Sequence, residues 1–298
     1  MLLTPDCIMC NYKASLAAVR ELTSDEDLVR EVMINVLQVP AMRGLDWSRT
    51  SPEVFEVIFR KIVAAFGNRD PFRAWKETQN EKGLQLYPRV KPLVESSPDP
   101  LVTALKLAIA GNSLDVMWSQ GSVDVEPHIN SCLERVFPEE TVARFEDRIG
   151  KSKLIVYLTD NCGEIAFDKL FIEAIGQSSP AEVVVVVRAE PTLNDATMED
   201  ALSVGLPEVA TVIANGIDGP LPGTIVERCS GEVQRLLNDA DLIISKGGGN
   251  FDSLSEATKL SEKICYMLMC KCLPYQRSFG VPMYEPILSV GLCSNVSQ

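Results

Sequence analysis

The chain has 298 residues, 46% apolar and 23% charged, the balance of a compact globular protein of one large or two ordinary domains rather than a fibrous or disordered one. Lysine and arginine total 28 against 41 acids, so the net charge of −13 argues against nucleic acid as a partner while leaving room for local binding of a small anion. The nine cysteines form no secreted framework, the first ten residues carry no signal-peptide pattern, and the longest apolar stretches fall far short of the roughly 20 residues of a membrane span. The expectation is a cytoplasmic protein with no membrane partner.

To about residue 150 the apolar pattern has the helical period. Thr23 and Glu26 read as a capping box ahead of Val29, Val32, Met33, Val36 and Leu37, and Ser51 as N-cap with Pro52 introduces Val54, Val57, Ile58, Ile62 and Ala65. After a proline-rich connector from Pro88 to Pro100, the residues Leu101, Ala104, Leu105, Ala108 and Ile109 repeat the spacing. Beyond Gly150, runs rich in β-branched residues take over: Leu154 to Leu158, Val183 to Val187, Val209 to Ile213 and Leu242 to Ile244 read as buried parallel strands. An amphipathic helix through Phe167, Leu170, Phe171, Ala174 and Ile175 joins the first two. The predicted fold class is α/β, with an all-helical part over 1–149 and a doubly wound, mainly parallel α/β domain over 150–298.

In such sheets ligands bind beyond the carboxyl ends of the strands. The first run ends in Thr159-Asp160-Asn161-Cys162-Gly163-Glu164, two hard oxygen ligands followed by a glycine turn; either Asp160 or Asn161 reads equally well as a helix cap. The second ends in Arg188 and, after Pro191, Asn194-Asp195. Asp195 at a neighbouring strand end completes a donor set of two carboxylates and an amide that suits a divalent metal, unless Arg188 merely fixes the loop through Glu190 or Asp195. The last run leads into Ser245-Lys246-Gly247-Gly248-Gly249-Asn250, an anion nest with a lysine point charge or else a glycine-rich turn with a solvated lysine. Neither a P-loop nor a dinucleotide fingerprint matches it.

Asp160-Asn161-Cys162-Gly163-Glu164, Arg188-x-x-Pro191-x-x-Asn194-Asp195 and Lys246-Gly247-x-x-Asn250-Phe251 resemble, in order and spacing, the signature motifs of the metal-dependent damage-control phosphatase family, a former domain of unknown function. The N-terminal Pro5-Asp6-Cys7-Ile8-Met9-Cys10 is similar to that of its archaeal and bacterial-type branch. The resemblance implies a Rossmann-like three-layer α/β/α catalytic part. It also implies a divalent ion (Mn, Ni, Co or Mg) at Asp160, Asn161 and Asp195, which would be the catalytic set. Phosphate contacts would come from the Lys246 loop, with Ser245, Lys246, Gly247 and Asn250 as substrate-binding residues; Arg188 would touch substrate or orient Asp195, and Glu164 would join the substrate set, assist a metal-bound water or be an ordinary first-turn acid. Small phosphorylated metabolites, such as sugar phosphates or phosphopantetheine-type esters, are the implied substrates. Gly248-Gly249 departs from the larger polar residues found in other members, which bears on substrate preference.

Direct attack by water and attack by Asp160 to give an aspartyl-phosphate both fit these residues. Cys7 and Cys10, with Cys270 and Cys272, offer four thiols for zinc or redox chemistry but read better as small packing residues. Cys162 lacks a histidine partner, the sole histidine being His128 in the helical half, read as an ordinary surface or capped residue. Two other functions compete: a non-catalytic phosphometabolite or nucleotide sensor using the same loops, and an S-adenosylmethionine-dependent carboxyl methyltransferase, which would need a glycine-rich loop where Asp160-Asn161 stands. The pattern sets no oligomeric state.

Overall fold

The computed structural model describes residues 1–112 and 126–291; the side chain of His128 lies outside the described set. Helices α1 (Pro5–Leu22), α2 (Glu26–Leu37), α3 (Ser51–Phe66), α4 (Arg73–Glu95), α5 (Pro100–Gly111), α6 (Glu126–Glu134) and α7 (Glu139–Lys151) precede β1 (Leu154–Leu158). Then come α8 (Ile165–Ser178), β2 (Glu182–Val187), α9 (Met198–Ser203), β3 (Thr211–Ala214), α10 (Gly231–Asp239), β4 (Leu242–Lys246), α11 (Gly247–Leu254), β5 (Ile264–Met269), α12 (Leu273–Phe279) and β6 (Pro286–Val290). Among the described residues no helix is long and apolar enough to cross a membrane.

Local chemistry moves several expected boundaries. Asp25, not Thr23, caps α2, its Oδ1 accepting from the Asp27 and Leu28 amides, while Thr23 closes α1. Thr50 caps α3 and shares a capping box with Glu53, which makes Ser51 the first helical residue. Pro88 and Pro92 lie inside α4 rather than in a connector. Each costs the helix a hydrogen bond, and the burial of Val90 and Val94 in the main core offsets that loss. Leu206–Glu208 turns as a 3₁₀ helix, so the third strand starts later than the apolar run.

The six strands form one sheet in the order β3-β2-β1-β4-β5-β6, with all neighbours parallel except the antiparallel β5–β6 pair. Alternation along β1 builds the layers. Ile155 and Tyr157 enter a core with Leu105 and Ala108 of α5 and Phe167 and Phe171 of α8, whereas Val156 and Leu158 pack on the opposite face with Val233 of α10 and Phe251 of α11. The expected boundary at 149/150 therefore cuts through one continuous core, since α4 and α5 pack directly on α8. Helices α1 to α3 hold a cluster of their own, which Leu193 joins from the loop after β2.

Phe171 is fully buried between Phe145 and Tyr157, with ring centroids 6.1 and 6.2 Å away. Phe171→Ala is expected to lower the unfolding free energy by about 3–5 kcal/mol, read from urea denaturation.

Candidate active site

β1 has β2 on one side and β4 on the other, so chain connections diverge there and open a crevice at the carboxyl ends of β1 and β4. The chain leaves β1 through Thr159 and Asp160, and leaves β4 straight into α11. Gly247 makes that second turn at φ +75°, with its backbone pressed on the first: a Cβ there would sit 1.8 Å from Asp160 Oδ2. Gly163 also has φ +75°, and a Cβ on Gly83 of α4 would meet its carbonyl oxygen at 2.4 Å. Helix α4 is thus seated flush on the β1 loop, and Asn80 fastens it by accepting from the Gly163 amide at 2.7 Å while donating to Asp200 at 2.8 Å.

The loop after β2 is tied to the loop after β1 by main-chain bonds. Cys162 N donates to Asn194 O and Ala196 N to Asp160 O, each at 2.8 Å, which sets Asp195 opposite Asn161. Leu193, at φ +45°, makes the turn that permits this. Arg188 then braces Asp195: Nε donates to Asp195 Oδ2 at 2.6 Å, and Nη1 reaches the Gly223 carbonyl and Asn250 Oδ1, both at 3.0 Å. Arg188 Nη2 is buried without a hydrogen bond, 4.0 Å from Asp160 Oδ1.

Asn112, at the end of α5, and Asn161 both donate to Asp160 Oδ2 at 2.9 Å and to Glu164 Oε2, at 2.9 and 3.1 Å. Burial, with Glu164 and Asp195 close by, holds the Asp160 carboxyl well above the usual carboxylate range, against the pull of Arg188 and Lys271. This is a site short of positive charge.

Lys246 does not supply that charge to the crevice. Its fully buried ammonium bonds Glu164 Oε1 at 3.0 Å and Asp168 Oδ1, and Asp168 also accepts from Tyr157 OH at 2.7 Å. Burial alone would discharge the lysine, but Asp168 and Glu164 outweigh it and keep it protonated; burial pushes Asp168 up to about 6 despite the lysine. Asn250 is likewise a brace, donating to the Thr159 and Lys246 carbonyls at 2.9 and 2.8 Å, and Ser245 Oγ is buried without a partner.

Of the residues expected from the sequence, Asp160, Asn161 and Asp195 line a cavity of about 390 Å³ at the crevice. Arg188, Glu164, Ser245, Lys246, Gly247 and Asn250 stand outside its lining and support it from behind. Across from the carboxylates the walls come from α1, α3 and the segment after β5, including Lys13, Phe55, Lys271 and Tyr275. Asp252 lines the same cavity, buried, with its Oδ1 unpartnered. Of the four thiols considered earlier, Cys7 and Cys270 are buried, whereas Cys10 is exposed and Cys272 half-buried at the cavity wall. Burial pushes the Cys272 thiol up to about 12. All cysteines among the described residues are free.

Among the described residues no group of three or more His, Cys, Asp and Glu side chains is arranged to hold a metal. The set facing the cavity is of another kind, the carboxylates of Asp160 and Asp195 with the amide of Asn161. The raised Asp160 carboxyl, crowded by Glu164 and Asp195, marks a place where further positive charge is stabilising, and hard oxygen donors suit a divalent ion of the Mg²⁺ or Mn²⁺ type. The donors fit such an ion.

A doubly wound α/β/α sheet with two strand-end carboxylates at its switch crevice defines a class of small-molecule enzyme-like domains rather than one activity. Residues 3–287 match the Damage-control phosphatase ARMT1-like domain, and the chain belongs to that family. It is 32% identical over 292 residues to a damage-control phosphatase of Archaeoglobus fulgidus, covering 97% of this chain and 98% of that protein. A damage-control phosphatase of Pyrococcus horikoshii is 30% identical over 93% of this chain and 94% of its own length. The crystal structure of a DUF89 family protein from Pyrococcus horikoshii superposes with a TM-score of 0.85 at 29% identity, covering 98% of this chain and 99% of that one.

The pattern of residues alone missed Asn80, Asn112, Asp168 and Lys271. Asp168 carried a signal, an acid on the apolar helix face of Phe167, Leu170 and Phe171; Asn112, the residue that follows α5, carried none.

Two predictions follow from this packing. Gly247→Ala combines a left-handed backbone with a collision against Asp160, and a loss above about 2 kcal/mol is expected from urea unfolding. Burial pushes Asp252 up to about 7, opposed by the Met1 amine and a hydrogen bond with Tyr275. The native state thus holds a proton that the unfolded chain releases near pH 3.9. This stabilisation is full below that pH and lost as pH rises through 7, by on the order of 4 kcal/mol at pH 8. Asp252→Asn is expected to lack this loss, so its melting temperature should exceed that of the parent protein by more at pH 8 than at pH 5.

Proposed function

We propose that this protein is a metal-dependent phosphatase that hydrolyses phosphate monoesters of small metabolites, sugar phosphates or cofactor-related phosphates, in metabolite damage control. The observation that carries this reading is the convergence of Asp160, Asn161 and Asp195 on the floor of one cavity at the switch point of the sheet. Family membership and relatives named damage-control phosphatases support it. A cytoplasmic setting accords with the free cysteines among the described residues.

Asp160, Asn161 and Asp195 would hold a divalent ion, with Mn²⁺, Ni²⁺, Co²⁺ and Mg²⁺ the candidates. When bound, the ion supplies charge neutralisation to phosphoryl oxygens. The protein's own part is preorganisation. Arg188 fixes the Asp195 carboxylate, the Asn112 and Asn161 amides fix Asp160 Oδ2, and the Lys246–Glu164–Asp168 group keeps the β1 loop in place without entering the cavity. Gly248 and Gly249 bring main chain at the start of α11 to the cavity wall, where a side chain would obstruct an ester: a Cβ at Gly248 would lie 2.3 Å from Tyr275 OH.

The test is phosphate release from p-nitrophenyl phosphate and a panel of sugar and cofactor phosphates. Metal-stripped protein would be resupplied separately with Mg²⁺, Mn²⁺, Co²⁺ or Ni²⁺. Metal-restored turnover, reduced at least about a hundredfold in Asp195→Ala, is the expected outcome. Folded protein that binds the esters yet releases no phosphate with any of the four ions would leave the sensor reading in its place.

A further inference from the structure

We propose that Asp200, paired with Lys76, is a positioning residue for the metal site: it ties the loop that carries Asp160 and Asn161 and the loop that carries Asp195 to one point behind the cavity. The inference rests on the metal-dependent part of the proposed function and adds to it what sets the spacing of the donors.

The three donors reach the cavity from two loops, Asp160 and Asn161 after β1 and Asp195 after β2. An ion of the Mg²⁺ type takes oxygen ligands at about 2.0–2.1 Å in near-ideal octahedral geometry, so the loops have to keep their separation to within about 0.5 Å. Behind them, one carboxylate stands at the end of a short hydrogen-bonded path from each. Asp200 Oδ1 accepts from Asn80 Nδ2 at 2.8 Å, and Asn80 Oδ1 accepts from the amide of Gly163, in the loop of Asp160 and Asn161, at 2.7 Å. Asp200 Oδ2 accepts from the Thr197 amide at 2.9 Å and the Thr197 hydroxyl at 2.7 Å, in the loop of Asp195. Cys162 N and Ala196 N already bond the two loops to each other, and Asp200 adds the fixed reference, α4, against which both are set. Lys76, Asn80, Thr197 and Asp200 all stand outside the cavity lining.

A buried carboxylate keeps such a place only if its charge is met. Lys76 of α4, 2% exposed, meets it: Nζ lies 3.5 Å from Asp200 Oδ2 and 2.9 Å from Asp70 Oδ2. Burial alone would discharge Lys76, but Asp200 and Asp70 outweigh it and hold the ammonium above the ordinary lysine range. The hydrogen bonds also demand a carboxylate, since both oxygens face donors, Asn80 on one side and Thr197 with Lys76 on the other. An amide at position 200 would turn its NH₂ on one of them. Flipping Asn80 to receive it would only move the conflict of donors to the Gly163 amide.

The experiment compares the metal-stripped parent protein with Asp200→Asn, Asn80→Ala, Asp195→Ala and the core variant Phe171→Ala, each checked for folding by thermal melting. Mn²⁺ binding is read from the electron paramagnetic resonance of the free ion, and Mg²⁺ and Ca²⁺ binding by competition against it. Asp200→Asn is expected to weaken Mn²⁺ and Mg²⁺ at least about tenfold, but Ca²⁺, whose coordination is more flexible, less than about threefold. Asn80→Ala cuts the path to Gly163 and leaves the Asp200–Lys76 pair in place; it is expected to weaken Mn²⁺ likewise, and it carries the test should Asp200→Asn not fold. Phe171→Ala, destabilised far from these contacts, is expected to keep all three affinities. Mn²⁺ binding unchanged in folded Asp200→Asn or Asn80→Ala, weakened as much in Phe171→Ala, or lost equally with Ca²⁺ binding overturns the positioning role alone. A parent protein that binds no Mn²⁺, or binds it undiminished in Asp195→Ala, overturns the metal reading and the positioning role with it.

Discussion

Burial of Glu164 and Asp168 against the single ammonium of Lys246 is the constraint on which the rest of the crevice depends. Opposite charges a few ångströms apart at an intermediate effective dielectric attract by about 4 kcal/mol, and removing one partner of such a buried group costs about 3–5 kcal/mol. Because the lysine is spent in this way, the first turn of α8 and the end of β4 can be buried side by side. Asp160 and Asp195 then stand in front of them with the one guanidinium of Arg188 between the two, and burial with Glu164 and Asp195 nearby raises the Asp160 carboxyl.

Amides link the charged layers. Asn112 and Asn161 each touch two carboxylates, Asn80 joins α4 to the β1 loop and to Asp200, and Asn250 joins β1, β4 and Arg188. A neutral group that both donates and accepts satisfies buried partners without adding charge to an acidic cluster. The carboxylates keep their geometry through these contacts.

Much of this was legible in the residues. β-branched runs separated by helical spacing fixed the α/β class, and the polar residues directly after β1 and in the loop after β2 marked Asp160, Asn161 and Asp195 as cavity-lining, because ligands of a parallel sheet bind beyond the carboxyl ends of its strands. Lys246 was open to the same reading only in part. Period-two alternation along β4 puts Lys246 on the face of Leu242 and Ile244, towards α5 and α8, and its neighbour Ser245 on the face of Ile243. Position at a strand end announced a functional lysine, while alternation announced a buried one, and burial prevailed because two acids waited on that face. Asn112 and Lys271 carried no such signal: Asn112 joins the site by contacts 48 residues away to Asp160 and 157 to Met269, and Lys271 by its place at the cavity wall. Likewise the antiparallel β6 opens with Pro286 at the sheet edge, where a missing N–H costs little and the usual strand signature is weak.

The cavity has two walls of different origin. The carboxylate wall belongs to the core of the sheet, whereas Lys13 stands on α1 and Phe55 on α3, helices whose apolar cluster is separate and meets the sheet loops through Leu193. Substitutions that repack α1 to α3 therefore reshape one side of the cavity while the strand ends keep their register. The turn at Leu193 is thus the joint between a wall that can be reshaped by repacking three helices and a wall held by the strand ends.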